Sequence, residues 1–200
     1  MDDDWRVRAT AVLLIHGGLA EDMDADRFWV RPGIVDALES AGVQVYAPDR
    51  NTTPETWTAA ADEMAADLDA PTIVVAGSNG VSVALRLAID HPALVSRLVL
   101  LWPATAGDQA VDSAVPSSAR HLLAGDTVRG TTDAELRSIN VPVAVMASDP
   151  PNRAHHHRTV DRLVDLMPEA VRITEQFPEP PRPEFAAVLE EFTEVLRAHL

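Results

Sequence analysis

Short runs of consecutive apolar residues alternate along this chain with longer stretches whose apolar positions recur at three- and four-residue spacing. The runs predict strands at Thr10–His16, Val43–Ala47, Thr72–Ala76, Arg97–Trp102, Val141–Ala147 and Ala170–Thr174. They are dense in Val, Leu and Ile without polar alternation, the pattern of strands buried on both faces of a parallel sheet. The spacing between them predicts helices at Pro32–Ala41, Pro54–Leu68, Asn79–Ile89, Thr159–Met167 and Phe185–Leu196. Pro32 opens the first of these and Gly42 follows its end, as helix punctuation requires. Strands alternating with helices imply βαβ units. The expected architecture is therefore α/β, a mostly parallel six-stranded sheet with helices on both faces, in one domain spanning residues 1–200.

Ala104–Asn140 breaks the rhythm after the fourth strand. It holds a short helical stretch around Ser117–Ala124 and a capping-box pattern, Thr132-x-x-Glu135, before Leu136. An insertion at a strand's C-terminal end lies beside the crevice where open α/β sheets bind ligands. Residues 104–140 are expected to form a small lid.

Composition acts mainly by exclusion. The 200 residues are enough for a full core, and with no cysteine the chain makes no disulfide, Cys-zinc site or Cys nucleophile. All 16 basic residues are Arg, which removes Lys Schiff-base chemistry and a P-loop Lys. A net charge of −15 disfavours nucleic acid and anionic membranes as partners, and most of it reads as a solubilising surface. No apolar run approaches the ~20 residues of a membrane span. The Met-Asp-Asp-Asp start lacks the design of a secretory signal. The expectation is a cytoplasmic protein acting on a small molecule, with the oligomeric state left open. No dinucleotide fingerprint, P-loop or metal-ligand spacing occurs, so no cofactor and no metal is expected.

The candidate chemistry lies in "VVAGSNGVSVALRL", residues 74–87. A strand that passes straight into a helix through Ala76-Gly77-Ser78-Asn79-Gly80 needs small residues on either side of the turn. That turn strains the central residue and projects its oxygen above the sheet, the requirement of a nucleophile elbow. The plainer alternative is a Gly-Ser turn with no chemistry.

With the elbow in place, the chain resembles the α/β-hydrolase family over nearly its whole length. The resemblance rests on "VLLIHGG" (12–18), "DRFWVRPGIVDALESAGVQVYAPDR" (26–50), the elbow with its helix and next strand (77–104), and "VPVAVMASDPP" (141–151). It implies a minimal member that begins at the family's third strand. It further implies Ser78 as nucleophile and the amides of Gly18 and Asn79 as the oxyanion hole, each such donor commonly worth ~3–4 kcal/mol in the transition state. Leu19 and His121 become candidate substrate contacts. Asp149 takes the acid position, where it could equally cap a turn before Pro150 and Pro151. His16 in such a motif braces its loop, and His91 caps the elbow helix.

One part of the pattern is missing. The family's basic His comes from the loop after the last strand, here "EQFPEPPRPEF" (175–185), which has none, and His199 lies far along the final helix. A Ser without a base is a poor nucleophile. "DPPNRAHHHRTV" (149–160) offers a substitute: His155 stands close to a position where some relatives carry a His, ahead of His156 and His157. Asp149 would then orient its ring. The alternative is a solvated His run at a helix start.

The leading expectation is a serine-type hydrolase that cleaves a small, apolar ester or thioester through an acyl-enzyme. A second keeps the fold but only binds a small molecule or catalyses a cyclase- or lyase-type step. A third is a non-catalytic interaction protein. An imidazole nitrogen within hydrogen-bond reach of Ser78 Oγ separates the first from the second.

Overall fold

The computed structural model describes residues 11–20 and 22–200. Six strands form one sheet: β1 (Val12–Ile15), β2 (Val45–Tyr46), β3 (Thr72–Gly77), β4 (Val95–Leu101), β5 (Val143–Met146) and β6 (Ala170–Arg172). Their spatial order is β2-β1-β3-β4-β5-β6, and every neighbouring pair is parallel. The strands fall where the apolar runs predict them, although Thr10 lies outside the described residues. β4 begins at Val95 rather than Arg97 because Val95 pairs with Thr72 across a register shift.

Among the described residues seven α-helices accompany the sheet: α1 (Ile34–Ser40), α2 (Trp57–Ala66), α3 (Gly80–Asp90), α4 (Gln109–Ala114), α5 (Asp133–Leu136), α6 (His157–Leu166) and α7 (Leu189–Arg197). α2 begins at Trp57, not Pro54, because Thr56 caps it, its side chain accepting the Ala59 amide at 2.9 Å. The stretch before α7 forms a separate 3₁₀ turn, Pro183–Ala187.

Successive strand residues point to opposite faces, and both faces are buried. Leu13, Ile15, Val74, Ala76, Leu98, Leu100 and Val145 share a core with α2, α3 and α6. Val12, Leu14, Val75, Val99, Leu101 and Met146 share another with α1 and α7. This two-sided burial is why the strands read as unbroken apolar runs.

From β1 the chain moves out to edge strand β2, then returns to place β3 on the other side of β1. The C-terminal ends of β1 and β3 thus flank the point where the winding reverses, the crevice in which open α/β sheets hold ligands. His16-Gly17-Gly18 leaves one end of this crevice and Ser78 the other.

Residues 104–140 fold as α4, a 3₁₀ helix (Ser117–Leu122) and α5, whose expected capping box is present. Ala119, Leu122, Val128, Leu136 and Ile139 join the core on the α2 and α3 side. Trp57 Nε1 donates to the Leu122 carbonyl at 2.9 Å, anchoring the segment onto α2.

Candidate active site

Ser78 follows the last residue of β3 with φ of +52°, a left-handed conformation uncommon for a side chain other than glycine. Its amide donates to Leu101 O at 3.0 Å, which fixes the turn to β4. α3 starts close against β1: a Cβ on Gly80 would stand 2.5 Å from Ile15 O and 2.6 Å from His16 O. The small-x-Ser-x-Gly spacing is therefore a packing requirement, and it aims the Ser78 hydroxyl into the crevice.

His155 Nε2 lies 2.9 Å from Ser78 Oγ. The other ring nitrogen, Nδ1, lies 2.7 Å from Glu179 Oε1, a contact bent away from a linear hydrogen bond. Oε1 also accepts from Ser148 Oγ and from Asn152 Nδ2, both at 2.8 Å. With Nδ1–H facing the carboxylate, Nε2 is free to accept the serine proton. Burial opposes ionisation of Glu179. The hydrogen bond and charge of His155, with the Ser148 hydroxyl, outweigh it and hold the carboxyl at about 2.

The sequence expectation placed Asp149 beside the imidazole, where Glu179 stands instead. Asp149 is exposed, and among the described residues its carboxylate has no hydrogen bond or ion pair; only its amide is engaged, donating to Phe177 O at 3.1 Å. The cause lies in the loop after β6. It runs beside the end of β5, bridging Phe177 to Ser148, and so delivers Glu179 to the imidazole. An aromatic cluster holds it there: Trp102 stacks on Phe192 at 5.5 Å, Phe177 meets Phe192 edge-on, and Trp102 Nε1 donates to Phe177 O at 2.7 Å. Each such ring pair adds about 0.5–1.5 kcal/mol beyond its buried area. The imidazole thus comes from the loop after β5 and the carboxylate from the loop after β6, the reverse of the order the resemblance implies.

The three neighbouring histidines diverge. His156 Nε2 turns to Asp108 Oδ2 at 3.3 Å, and His157 Nε2 to Ser148 O at 2.7 Å. Among the described residues no group of three His, Asp or Glu side chains is placed to hold a metal.

Gly18 and Asn79 border Ser78 from two loops, and neither amide donates to another backbone carbonyl among the described residues. Both loops are braced. Arg50, which the sequence reading passed over, is buried and gives Nε to His16 O (2.8 Å) and Nη2 to Gly17 O (2.9 Å) and Gly18 O (2.7 Å). In a trans peptide the C=O and the following N–H point in opposite directions. Pulling Gly17 O toward the guanidinium therefore turns the Gly18 amide away from it. His16 serves the same loop as a brace: Nδ1 faces Gly17 O at 2.8 Å and Nε2 accepts the Arg50 amide at 3.0 Å. Burial first, then the Arg50 charge, lowers its pKa to about 4, so the ring stays neutral. On the other side, buried Arg129 donates to Asn79 Oδ1 at 2.7 Å and to Asp112 Oδ1 at 3.0 Å.

A cavity of about 310 Å³ opens at the hydroxyl, lined by Gly18, Met23, Phe28, Ser78, Asn152, Ala154, His155, Glu179, Pro181 and Arg182. Neither expected substrate contact is among them. Leu19 packs into the core beside α2 and α3, drawn inward where Ala20 N bonds Thr52 O at 3.0 Å. His121 Nε2 contacts Pro54 O at 3.0 Å and borders a separate cavity, because its helix is anchored on α2. No residue of 104–140 lines the Ser78 cavity. The segment expected as a lid instead supports the elbow from behind, through Arg129.

No protein-family model matches the sequence, and no curated protein matches it. Solved structures do. The chain is similar to a putative non-heme bromoperoxidase, BpoC, from Mycobacterium tuberculosis, at 19% identity and a TM-score of 0.71, covering 96% of this chain and 94% of that one. It is similar to a meta-cleavage product hydrolase from Pseudomonas fluorescens at 16% identity and a TM-score of 0.70, covering 94% and 91%. An N-acyl homoserine lactone degrading enzyme matches at 17% identity and a TM-score of 0.70, covering 96% and 94%. With its parallel sheet, its elbow at β3 and these structural neighbours, the chain has the α/β-hydrolase fold.

Proposed function

We propose that this protein is a serine-type hydrolase that cleaves a carboxylic ester or thioester through an acyl-enzyme. The 2.9 Å approach of His155 Nε2 to Ser78 Oγ carries this reading. It supplies the base whose absence from the loop after β6 left the sequence pattern incomplete. Hydrolase names among the structural neighbours support it at the level of the fold.

In the proposed reaction Ser78 Oγ attacks the carbonyl carbon while His155 Nε2 takes the hydroxyl proton. The amides of Gly18 and Asn79 hold the developing oxyanion. Glu179 keeps the ring in its Nδ1–H tautomer and stabilises the imidazolium, without itself taking the proton. Collapse of the tetrahedral intermediate expels the alcohol or thiol, which leaves with the proton from Nε2. Water then attacks the acyl-serine and gives its proton to the same nitrogen. Release of the acid returns that proton to Ser78. Phe28, Met23 and Pro181 offer the apolar wall for the acyl group.

A fluorophosphonate probe and p-nitrophenyl butyrate test the proposal. Wild type is expected to label covalently on Ser78 and to turn over the ester, and Ser78→Ala to lose both. A wild-type protein that neither labels nor turns over, or a Ser78→Ala variant as active as wild type, overturns the reading.

A further inference from the structure

Within the hydrolase reading, on which this rests, we infer that the substrate carries an anionic group, a carboxylate or an isostere of one, held by Arg182 beside the scissile bond. Arg182 lines the Ser78 cavity. Its Nε lies 2.5 Å from Glu179 Oε2, so the side chain is tethered at its inner end. Neither Nη1 nor Nη2 makes a hydrogen bond to a described residue. A guanidinium presents donors in a planar fork suited to a carboxylate, and here the outer edge of that fork is unspent.

The rest of the lining sharpens the point. Gly18, Met23, Phe28, Ala154 and Pro181 offer no charge, and Glu179 is already committed to His155, Ser148 and Asn152. Arg182 is thus the one guanidinium among the cavity-lining residues, in a chain whose net charge is −15. An acidic surface repels a free anion in bulk, so an Arg at the nucleophile whose outer nitrogens are open, although its Nε pairs with Glu179, gives local selectivity that the overall charge does not. Arg27 and Arg31 line a neighbouring cavity and not this one. The apolar wall then takes the methylene chain, and the carboxylate lies toward the mouth, where Arg182 is 37% exposed.

The test compares monoethyl with diethyl esters of succinic, glutaric and adipic acid, followed by pH-stat in wild type, Arg182→Gln and Arg182→Lys. Three chain lengths cover the reach from carbonyl to guanidinium, and an ethyl leaving group prevents the free carboxylate from attacking its own ester. The inference expects wild type to favour the monoester of at least one length by about tenfold in kcat/KM, the effect of a charged hydrogen bond at a partly exposed site. The preference should shrink in Arg182→Lys, vanish in Arg182→Gln, and weaken with added salt. Arg182 also faces Glu179, so both variants slow both esters. The monoester-to-diester ratio isolates recognition from that slowing. Turnover without monoester preference, or a preference that survives Arg182→Gln, overturns the inference and leaves the hydrolase reading standing. No turnover of any ester together with no probe labelling of Ser78 overturns both.

Discussion

Glu179 Oε1 lies 2.7 Å from His155 Nδ1, although one residue follows β6 and the other follows β5. The carboxylate and the imidazole have exchanged the loops in which the sequence resemblance looks for them. The side chain nearest the expected acid position, Asp149, points to solvent. Replacing Glu179 with Gln should therefore lower kcat by roughly 10³–10⁴-fold, because an amide no longer enforces the tautomer that leaves Nε2 able to accept a proton. Asp149→Asn should stay within about twofold of wild type, as an exposed side chain away from the reacting groups. Steady-state kinetics on both variants decides between the two carboxylates, and equal losses would return Asp149 to the site.

Arg50 bonds the carbonyls of His16, Gly17 and Gly18 from one side chain. Lys in its place keeps a charge but cannot reach three carbonyls with one ammonium in the same geometry. The expected result for Arg50→Lys is a kcat lowered roughly ten- to hundredfold with KM changed little, since in the proposed reaction the loss falls on donors that act in the transition state. Fluorophosphonate labelling should slow in parallel. A rise in KM with kcat unchanged would place Arg50 in substrate binding instead.

Apolar periodicity made the scaffold legible. β1, β3, β4 and β5 are buried on both faces, so their patterns are nearly context-free. The elbow was legible because Gly80 must fit against the carbonyls of Ile15 and His16, a constraint that leaves a spacing in the sequence. His155 could be picked from three adjacent histidines only by its closeness to a family position. Glu179 could not be picked at all. It stands between Pro178 and Pro180 in a loop searched for a histidine, and what places it is the distant stacking of Trp102, Phe177 and Phe192. An acidic residue flanked by prolines in the loop after the last strand was the one local signal available. Leu19 and His121 were misplaced for a related reason. Which side of a loop faces a cavity depends on tertiary anchors, here Thr52 and Trp57, that no local pattern records.

His16 supplies a pH dependence of stability separate from catalysis. Its folded pKa, about 4, lies below the ordinary 6.5 because the ring is buried and faces Arg50. Between those values the unfolded chain binds a proton that the native protein refuses, so stability falls as pH drops from 6.5 to 4. The contribution present above pH 6.5 and lost below pH 4 is on the order of 3 kcal/mol. Urea denaturation across this range should show the slope, and His16→Gln, while less stable at pH 7, should flatten it. Parallel profiles for the two proteins would remove His16 as the source.

Gly80 gives a final separation of packing from chemistry. A methyl group there meets Ile15 O at 2.5 Å and His16 O at 2.6 Å, both backbone atoms within the central sheet and its first loop. Neither can yield without moving β1 or α3, so Gly80→Ala should cost about 1–3 kcal/mol, the usual range for overpacking. Thermal unfolding reads this directly. The displaced groups are the His16–Gly18 loop on one side and the Asn79 amide at the start of α3 on the other. Activity of the folded fraction should therefore fall as well, by more than the lost stability explains. A variant that melts early yet retains full kcat when folded would show that the approach of α3 to β1 stabilises the fold without setting the geometry around Ser78.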